Sequence, residues 1–99
     1  MIAAMATYTG PNPALAEVAR MARDEIGGWL GGYDGYRGLI ILTDQGGERA
    51  RVITLWANAE AEARSRQARG AMRSQVAAAT GMEVAPMEVY DVPVWELFD

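Results

Sequence analysis

The hydrophobic positions of the chain form two patterns, one typical of strands and one typical of helices. Residues 36–44 and residues 49–56 each contain consecutive apolar residues, at 39–42 and at 52–53, so both faces of each strand would carry apolar side chains. The connection between them is Gln45-Gly46-Gly47-Glu48, and a glycine pair supplies the positive φ that a tight hairpin turn requires. We therefore predict an antiparallel hairpin that is covered on both faces.

The first helical pattern follows a break at Gly10-Pro11. We predict that this helix begins at Asn12-Pro13, with the Asn12 side chain as its cap and Pro13 at the first helical position. The glycine pairs at 27–28 and 31–32 are predicted to end it. Its apolar stripe recurs at spacings of three and four: Leu15, Val18, Ala22, Ile26 and either Trp29 or Leu30.

The second helical pattern is predicted to run from a cap at Asn58 to a left-handed stop at Gly81. Glu60 and Glu62 stand in the first turn, where the helix dipole favours acidic side chains. Its apolar stripe is poor in large residues: Ala61, Ala68, Met72, Val76 and Ala79. Such a stripe either leaves space between the helix and a sheet or lets the helix pack closely through alanine.

Two further strand-like segments flank the helices. Ile2 to Thr9 is a short segment rich in small residues, and residues 82–92 contain Pro86, which favours a sheet edge or a bulge. The order strand-helix-strand-strand-helix-strand is that of the ferredoxin-like α+β fold, βαββαβ with an antiparallel sheet. Because 99 residues supply helices for only one face, we predict a homodimer in which two sheets pack face to face, as a dimeric α+β barrel.

Composition excludes several kinds of chemistry. The chain has no cysteine, no histidine and no lysine, which removes thiolates, imidazole bases and Schiff bases. A formal net charge of -4 argues against a nucleic-acid partner or an anionic membrane. The sequence shows neither a membrane-spanning apolar segment nor a signal peptide. We expect a cytoplasmic protein without thiolate or imidazole metal sites.

The positive charges concentrate on the second helix. Four of them share helical spacing: Arg64, Arg66, Arg69 and Arg73. The pairs Glu60–Arg64 and Glu62–Arg66 are each four residues apart, a spacing that supports ion pairs along a helix. This alternation of signs predicts a solvated face.

Three segments resemble the antibiotic biosynthesis monooxygenase (ABM) domain of the dimeric α+β-barrel superfamily. They are Gly35-Tyr36-Arg37-Gly38, the strand Ile53-Thr54-Leu55-Trp56 that leads directly into a helix of charged pairs, and Met87-Glu88-Val89-Tyr90. The resemblance reaches to about Val92 and implies one domain over residues 1–99. It implies a fold more firmly than an activity, because these motifs are mostly strand ends and turns.

The branches of this superfamily differ in their catalytic and ligand-binding residues, and the chain lacks those of several branches. The haem-degrading branch has an Asn on the first strand and a Trp and a His on the second helix, whereas the asparagines here are Asn12 and Asn58 at the predicted caps. The His-dependent cyclase and peroxidase branches fail for lack of histidine. The resemblance therefore implies the cofactor-independent oxygenases, in which an ionised aromatic substrate itself reduces dioxygen.

The resemblance also implies a ligand pocket between the sheet and its own helices. Trp56 and Met72 would shape this pocket, and Thr54 would bind substrate. Tyr8 and Gln75 are the catalytic candidates, since both can hydrogen-bond an oxyanion. The expected ligand is a small aromatic or polyketide-type molecule. The alternative is a non-catalytic ligand-binding or dimeric assembly module, because the sequence offers no strong base.

Other polar residues have ordinary structural interpretations. Thr7 and Thr9 suit a strand by propensity, Ser65 suits a helix surface, and Arg37 is expected to pair with Asp44 or Glu48. The alternative is a ligand contact, through the hydroxyls of Thr7, Thr9 and Ser65 or through the charge of Arg37. The remaining phenols near strand ends are Tyr36 and Tyr90.

The last residues carry two large aromatics in Val94-Trp95-Glu96-Leu97-Phe98. Such a segment is an exposed apolar patch unless something covers it. We expect residues 92–99 to pack on the partner subunit near the pocket mouth. The rival interpretation is a docking peptide for another protein.

Overall fold

One antiparallel sheet with helices packed on one of its faces forms the chain. The computed structural model describes residues 1–98, except the side chains of residues 12–14. The elements are β1 (Ile2–Thr9), α1 (Asn12–Met21), a π-helical segment (Ala22–Ile26), α2 (Gly27–Leu30), β2 (Tyr36–Thr43), β3 (Arg49–Trp56), α3 (Ala59–Thr80), β4 (Glu83–Val84) and β5 (Glu88–Asp91). Within residues 1–98, no helix combines the length and the apolar character needed to cross a bilayer.

The strand order confirms the predicted ferredoxin-like fold. β1 lies in the middle of the sheet and pairs along its whole length with β3, from Ile2 opposite Trp56 to Thr9 opposite Arg49. β2 pairs with the other side of β3 and forms one edge. β4 and β5 both pair with β1 on its remaining side. All of these pairings are antiparallel.

Pro86 divides the last strand. Tyr8 lies opposite Val84 in β4, whereas Met5 lies opposite Glu88 in β5, and the register shifts between the two pairings. Proline has no N–H to donate to a sheet. The strand predicted over residues 82–92 is therefore two short edge strands, and the intervening residues contribute Met87 to the helix side of the sheet.

The first helix passes through the glycine pair at 27–28 that was predicted to end it, and continues to Leu30. Ala22, Ile26 and Leu30 are all buried and stand four residues apart. In an ordinary α-helix, with 3.6 residues per turn, each step of four residues turns such a stripe by about 40° while keeping it on one broad face. The π-helical segment has a wider turn, seen in the hydrogen bond from the Gly27 N–H to the Ala22 carbonyl, and keeps the stripe inward.

The second helix begins and ends as predicted. Asn58 Oδ1 accepts a hydrogen bond from the Ala61 N–H at 2.9 Å, and Gly81 ends the helix with φ of 72°. For the first helix, the Asn12 side chain lies outside the described residues, so its predicted capping bond stays a prediction.

Both faces of the sheet carry apolar side chains. The face under the helices holds the core, in which Trp56 is fully buried. On the opposite face, cross-strand pairing aligns Ile53 with Met5 and with Ile40. Tyr90 lies on this second face as well, and its side chain is 49% exposed.

Candidate functional site

A cleft lies between the sheet and its helices, where a pocket was expected. It contains about 400 Å³ of empty space, part of it open to solvent. Small and apolar side chains form the sheet wall, with Ala4 and Ala6 from β1 and Val52 from β3. Two hydroxyl residues, Tyr8 and Thr54, interrupt this apolar surface.

The first helix supplies the facing wall through Ile26, Trp29 and Leu30. The π-helical segment and the short α2 place these three side chains over the sheet. Trp29 also packs edge-on against Tyr33, with ring centres 5.4 Å apart. The cleft thus has the aromatic side chain of Trp29 on one side and small residues on the other, a lining that suits an apolar ligand.

The third wall comes from α3 and corrects the predicted solvated face. Arg69, Met72 and Arg73 line the cleft, Arg69 is only 7% exposed and Glu62 only 1%. Residues seven apart lie on the same side of a helix. Glu62 and Arg69 therefore lie on the inward side of α3, as does the buried Val76. That spacing was the signal available in the sequence.

Arg69 is bonded on every side. Its Nε donates to Ser65 Oγ at 2.9 Å, and its Nη2 donates to the Glu62 carbonyl at 2.9 Å. Nη2 also lies 3.1 Å from the Glu62 carboxylate, and Nη1 donates to Met87 Sδ at 3.2 Å. The guanidinium lies 5.1 Å from the ring centre of Trp56, a cation–π contact. Ser65 is therefore a buried partner of Arg69 and not the surface residue that was considered.

Glu62 is held as a carboxylate. Burial opposes its ionisation, but hydrogen bonds from Arg66 and Arg69 outweigh burial and keep its pKa below the usual value. Arg66 contacts it from the solvent side, with its Nε 3.0 Å from one carboxylate oxygen. With two guanidinium partners, this carboxylate is a poor proton acceptor.

Arg73 and Tyr8 are polar residues of the cleft that can donate hydrogen bonds to a ligand. Arg73 Nη1 is buried and has no hydrogen-bond partner among the described residues. Burial raises the pKa of Tyr8 to about 12, although the nearby positive charge of Arg73 opposes the shift. Tyr8 consequently keeps its proton at neutral pH and can donate a hydrogen bond.

Thr54 and Trp56 form a supporting pair. Trp56 Nε1 donates to Thr54 Oγ1 at 2.9 Å, and Thr54 Oγ1 in turn lies 3.4 Å from the Ala4 carbonyl, to which it donates. Trp56 is fully buried behind the cleft wall and does not line it. It acts on the cleft through its contacts with Thr54 and Arg69. Of the predicted site residues, the cleft brings together Tyr8, Thr54 and Met72.

Gln75 does not join them, which corrects its expected placement. Its side chain is exposed and is not part of the cleft lining. The next residue, Val76, is the one that faces the sheet, and neighbouring positions on a helix point about 100° apart. The expected pairing of Arg37 is also wrong. Arg37 donates to the Tyr36 carbonyl, and Asp44 lies 3.8 Å from Arg49 instead.

No protein-family model and no curated protein sequence matches the chain. Solved structures do share its fold. A proposed antibiotic biosynthesis monooxygenase from Deinococcus radiodurans aligns with a TM-score of 0.71 at 11% identity, over 100% of this chain and 99% of that one. The cofactor-independent oxygenase SnoaB from Streptomyces nogalater aligns at 0.66 and 14% identity, over 95% and 94%.

A third such structure contains a ligand. The monooxygenase ActVA-Orf6 of Streptomyces coelicolor, in complex with nanaomycin D, aligns with a TM-score of 0.65 at 10% identity, over 97% of this chain and 92% of that one. The chain therefore has the ferredoxin-like α+β fold of the ABM-type structures. At these identities the likeness is one of fold.

Proposed function

We propose that the chain is a cofactor-independent monooxygenase that oxidises a small aromatic, polyketide-type molecule in the cleft. The observation that carries this proposal is the cleft itself, with apolar walls that the phenol of Tyr8 and the guanidinium of Arg73 also line. The shared fold adds support, because SnoaB is a cofactor-independent oxygenase and ActVA-Orf6 a monooxygenase. The substrate class rests on the shape and polarity of the walls.

The chemistry can be written for an anthrone. Loss of a proton gives an electron-rich anion, which transfers one electron to dioxygen. The two radicals combine through a new C–O bond, and the resulting hydroperoxide breaks its O–O bond and loses water. One oxygen atom becomes the new quinone carbonyl and the other leaves as water with the two hydrogens of the oxidised carbon. The substrate supplies all the electrons for this reaction.

The side chains of the cleft would act on the substrate anion and not as a dedicated base. Glu62 is occupied by two guanidinium groups, and Tyr8 stays protonated. The positive charge of Arg73 would lower the pKa of a bound anthrone or phenol, so that solvent can take the proton. Tyr8 would donate a hydrogen bond to the oxyanion as it forms. Met72 and the first helix would keep the ring in an apolar environment.

Oxygen uptake by metal-free protein with a panel of anthrones and dihydroxynaphthalenes tests this proposal. We expect protein-dependent uptake, and we expect Tyr8→Phe to slow it about a hundredfold, since removing one oxyanion donor has an effect of that order. Gln67→Ala, an exposed residue of α3, is the matched control and should keep the full rate. An oxygen electrode that records no uptake across the panel, or an unchanged rate in a folded Tyr8→Phe protein, would contradict the proposal.

A non-catalytic ligand-binding module is the second candidate, and one observation favours it. The Thr54 hydroxyl and the N–H groups of Arg69 already bond within the protein, so part of the polar lining serves the fold. Ligand binding without oxygen uptake would select this candidate.

We further propose that a second copy of the chain covers the outer face of the sheet, where Ile53, Met5 and Ile40 are aligned. Ile53→Glu is expected to convert a dimer into a monomer in sedimentation analysis, because it places a charge in the apolar contact. Ala63→Glu adds the same charge to the exposed side of α3 and should leave the dimer intact. A wild-type monomer at micromolar concentration would refute the dimer.

The C-terminal segment belongs to the same proposal. Phe98 is 88% exposed and Trp95 is 48% exposed in the single chain, and we propose that they pack on the partner subunit. Removal of residues 94–99 should then raise the dimer dissociation constant at least about tenfold. An unchanged dissociation constant would favour the docking of another protein.

A further inference from the structure

The α3 wall of the cleft carries more positive than negative charge. Arg69 and Arg73 line the cleft from this helix, and Arg66 stands on its solvent side. The carboxylate of Glu62 forms ion pairs with two of these arginines, Arg66 and Arg69. Arg73 is left without a carboxylate partner among the described residues. The excess positive charge lies where the helix borders the cleft.

The polar groups that face the cleft from this side are hydrogen-bond donors. Arg73 Nη1 is buried and has no hydrogen-bond partner among the described residues, and a guanidinium can only donate. Tyr8, on the facing strand, keeps its proton and can donate as well. The proton of Thr54 is directed to the Ala4 carbonyl. A ligand that satisfies these groups must therefore bring acceptor oxygen atoms, and a negative charge would balance Arg73.

We propose that Arg73 is the anion anchor of the cleft, and that the ligand is a planar aromatic molecule carrying an anionic oxygen, either a carboxylate or an ionised phenol, which lies between Arg73 and Tyr8. The inference rests on the proposed function, because it names the ligand class of the same cleft. Arg69 adds positive charge, but its N–H groups are engaged by Ser65, Glu62 and Met87. Arg73 is thus the residue that determines specificity.

Binding of two isosteric probes tests the anchor. Anthraquinone-2-carboxylate and anthraquinone-2-carboxamide have the same ring and differ in charge, and titration calorimetry at pH 7 gives both dissociation constants. We expect the carboxylate to bind at least about tenfold more tightly, as is typical of a hydrogen bond to a charged partner. In Arg73→Gln the two constants should become equal.

Arg64→Gln is the matched control, because Arg64 lies on the exposed side of α3 and its removal changes the net charge by the same amount. It should keep the preference for the carboxylate. Arg73→Met provides a check on folding and should unfold at a temperature no lower than the wild type, since it removes a buried donor that has no partner in the described chain. Equal constants for the two probes in the wild type, or a preference that survives in Arg73→Gln, would overturn the proposal.

A third probe separates the two sources of the anionic oxygen. The visible absorption of 2-hydroxyanthraquinone reports whether its phenol is ionised. If the subsite takes ionised phenols, the bound probe should show the phenolate spectrum below the pKa of the free probe, and this effect should disappear in Arg73→Gln. A bound phenol that stays neutral, together with a tight carboxylate, would restrict the subsite to carboxylates.

These outcomes are distinguishable from those of the oxygen-uptake experiment. The quinone probes have no oxidisable ring carbon of the anthrone type, so their binding does not depend on an oxygenase reaction. A preference for the carboxylate without oxygen uptake would leave the anchor in place and refute the enzyme. Oxygen uptake that is unaffected by Arg73→Gln, with equal binding of the two probes, would support the enzyme and refute the anchor.

Discussion

Replacing Glu62 with Gln is expected to lower the free energy of unfolding by about 3–5 kcal/mol, the usual effect of removing one member of a buried ion pair. The Glu62 side chain is 1% exposed and that of Arg69 is 6% exposed. Without the carboxylate, the charge of Arg69 would remain beneath α3 with Ser65 Oγ, Met87 Sδ and a carbonyl as its partners. Urea unfolding followed by tryptophan fluorescence measures the loss.

Glu60→Gln is the control for this experiment. Glu60 has the same spacing to Arg64 that Glu62 has to Arg66, but it lies on the surface, so its loss should cost about 0.3–0.5 kcal/mol. A second comparison uses Glu62→Leu combined with Arg69→Met, which removes both charges and should be much less destabilising than Glu62→Gln alone. Equal effects of Glu62→Gln and Glu60→Gln would show that the buried pair stabilises the chain no more than the surface pair does.

The ion pair of Glu62 and Arg69 should also make the free energy of unfolding depend on pH, and Glu62→Gln should lack this dependence. Because the pKa of Glu62 is lower in the folded chain than its ordinary 4.5, the folded state binds its proton less readily than the unfolded state. The resulting stabilisation is fully present above about pH 4.5 and is lost as the pH falls through the folded value. In Glu62→Gln this part of the acid destabilisation should be absent.

The fold could be predicted from the sequence because its signals are local. The turn at residues 45–48, the cap at Asn58, the stop at Gly81 and the break at Pro86 each depend on a few neighbouring residues. The first helix reaches Leu30, as the predicted stripe and the glycine pair at 31–32 indicated. The stop predicted at residues 27–28 was wrong, because burial of Leu30 outweighs the low helix propensity of glycine.

The polar half of the cleft could not be predicted in the same way. Glu62 and Arg66 form the expected ion pair, but their spacing of four does not tell which residue of the pair faces inward. That depends on which side of α3 meets the sheet, and only the tertiary structure brings Arg69 over Trp56. Tyr8 was chosen as a phenol near a strand end, and alternation along β1 places it on the cleft side with Ala4 and Ala6. Gln75 stands on a helix, where an error of one residue rotates it out of the cleft.

Gly35→Ala is expected to destabilise the chain by about 3–5 kcal/mol, since it combines backbone strain with a steric overlap. Gly35 has φ of +87°, a conformation that L-residues rarely adopt. An added Cβ would also stand 2.5 Å from the Cβ of Ala61. The Gly35 carbonyl accepts a hydrogen bond from the Ala57 N–H at 2.8 Å. The loop is thereby fixed to the chain just before α3, and relief of the overlap would move the helix that carries Glu62.

Two variants separate the contributions. Gly28→Ala adds the same methyl group within α2, where no atom would lie within 4 Å of it, and it should stabilise the chain by about 0.5–1 kcal/mol. Ala61→Gly introduced together with Gly35→Ala removes the overlapping methyl. In urea unfolding, the double variant should therefore lose less free energy of unfolding than the two single variants lose in sum. Strict additivity of the two substitutions would mean that the strain is confined to the Gly35 backbone. Partial recovery would show that the contact with Ala61 fixes the position of α3 and, through it, of Glu62 and Arg69 beside the cleft.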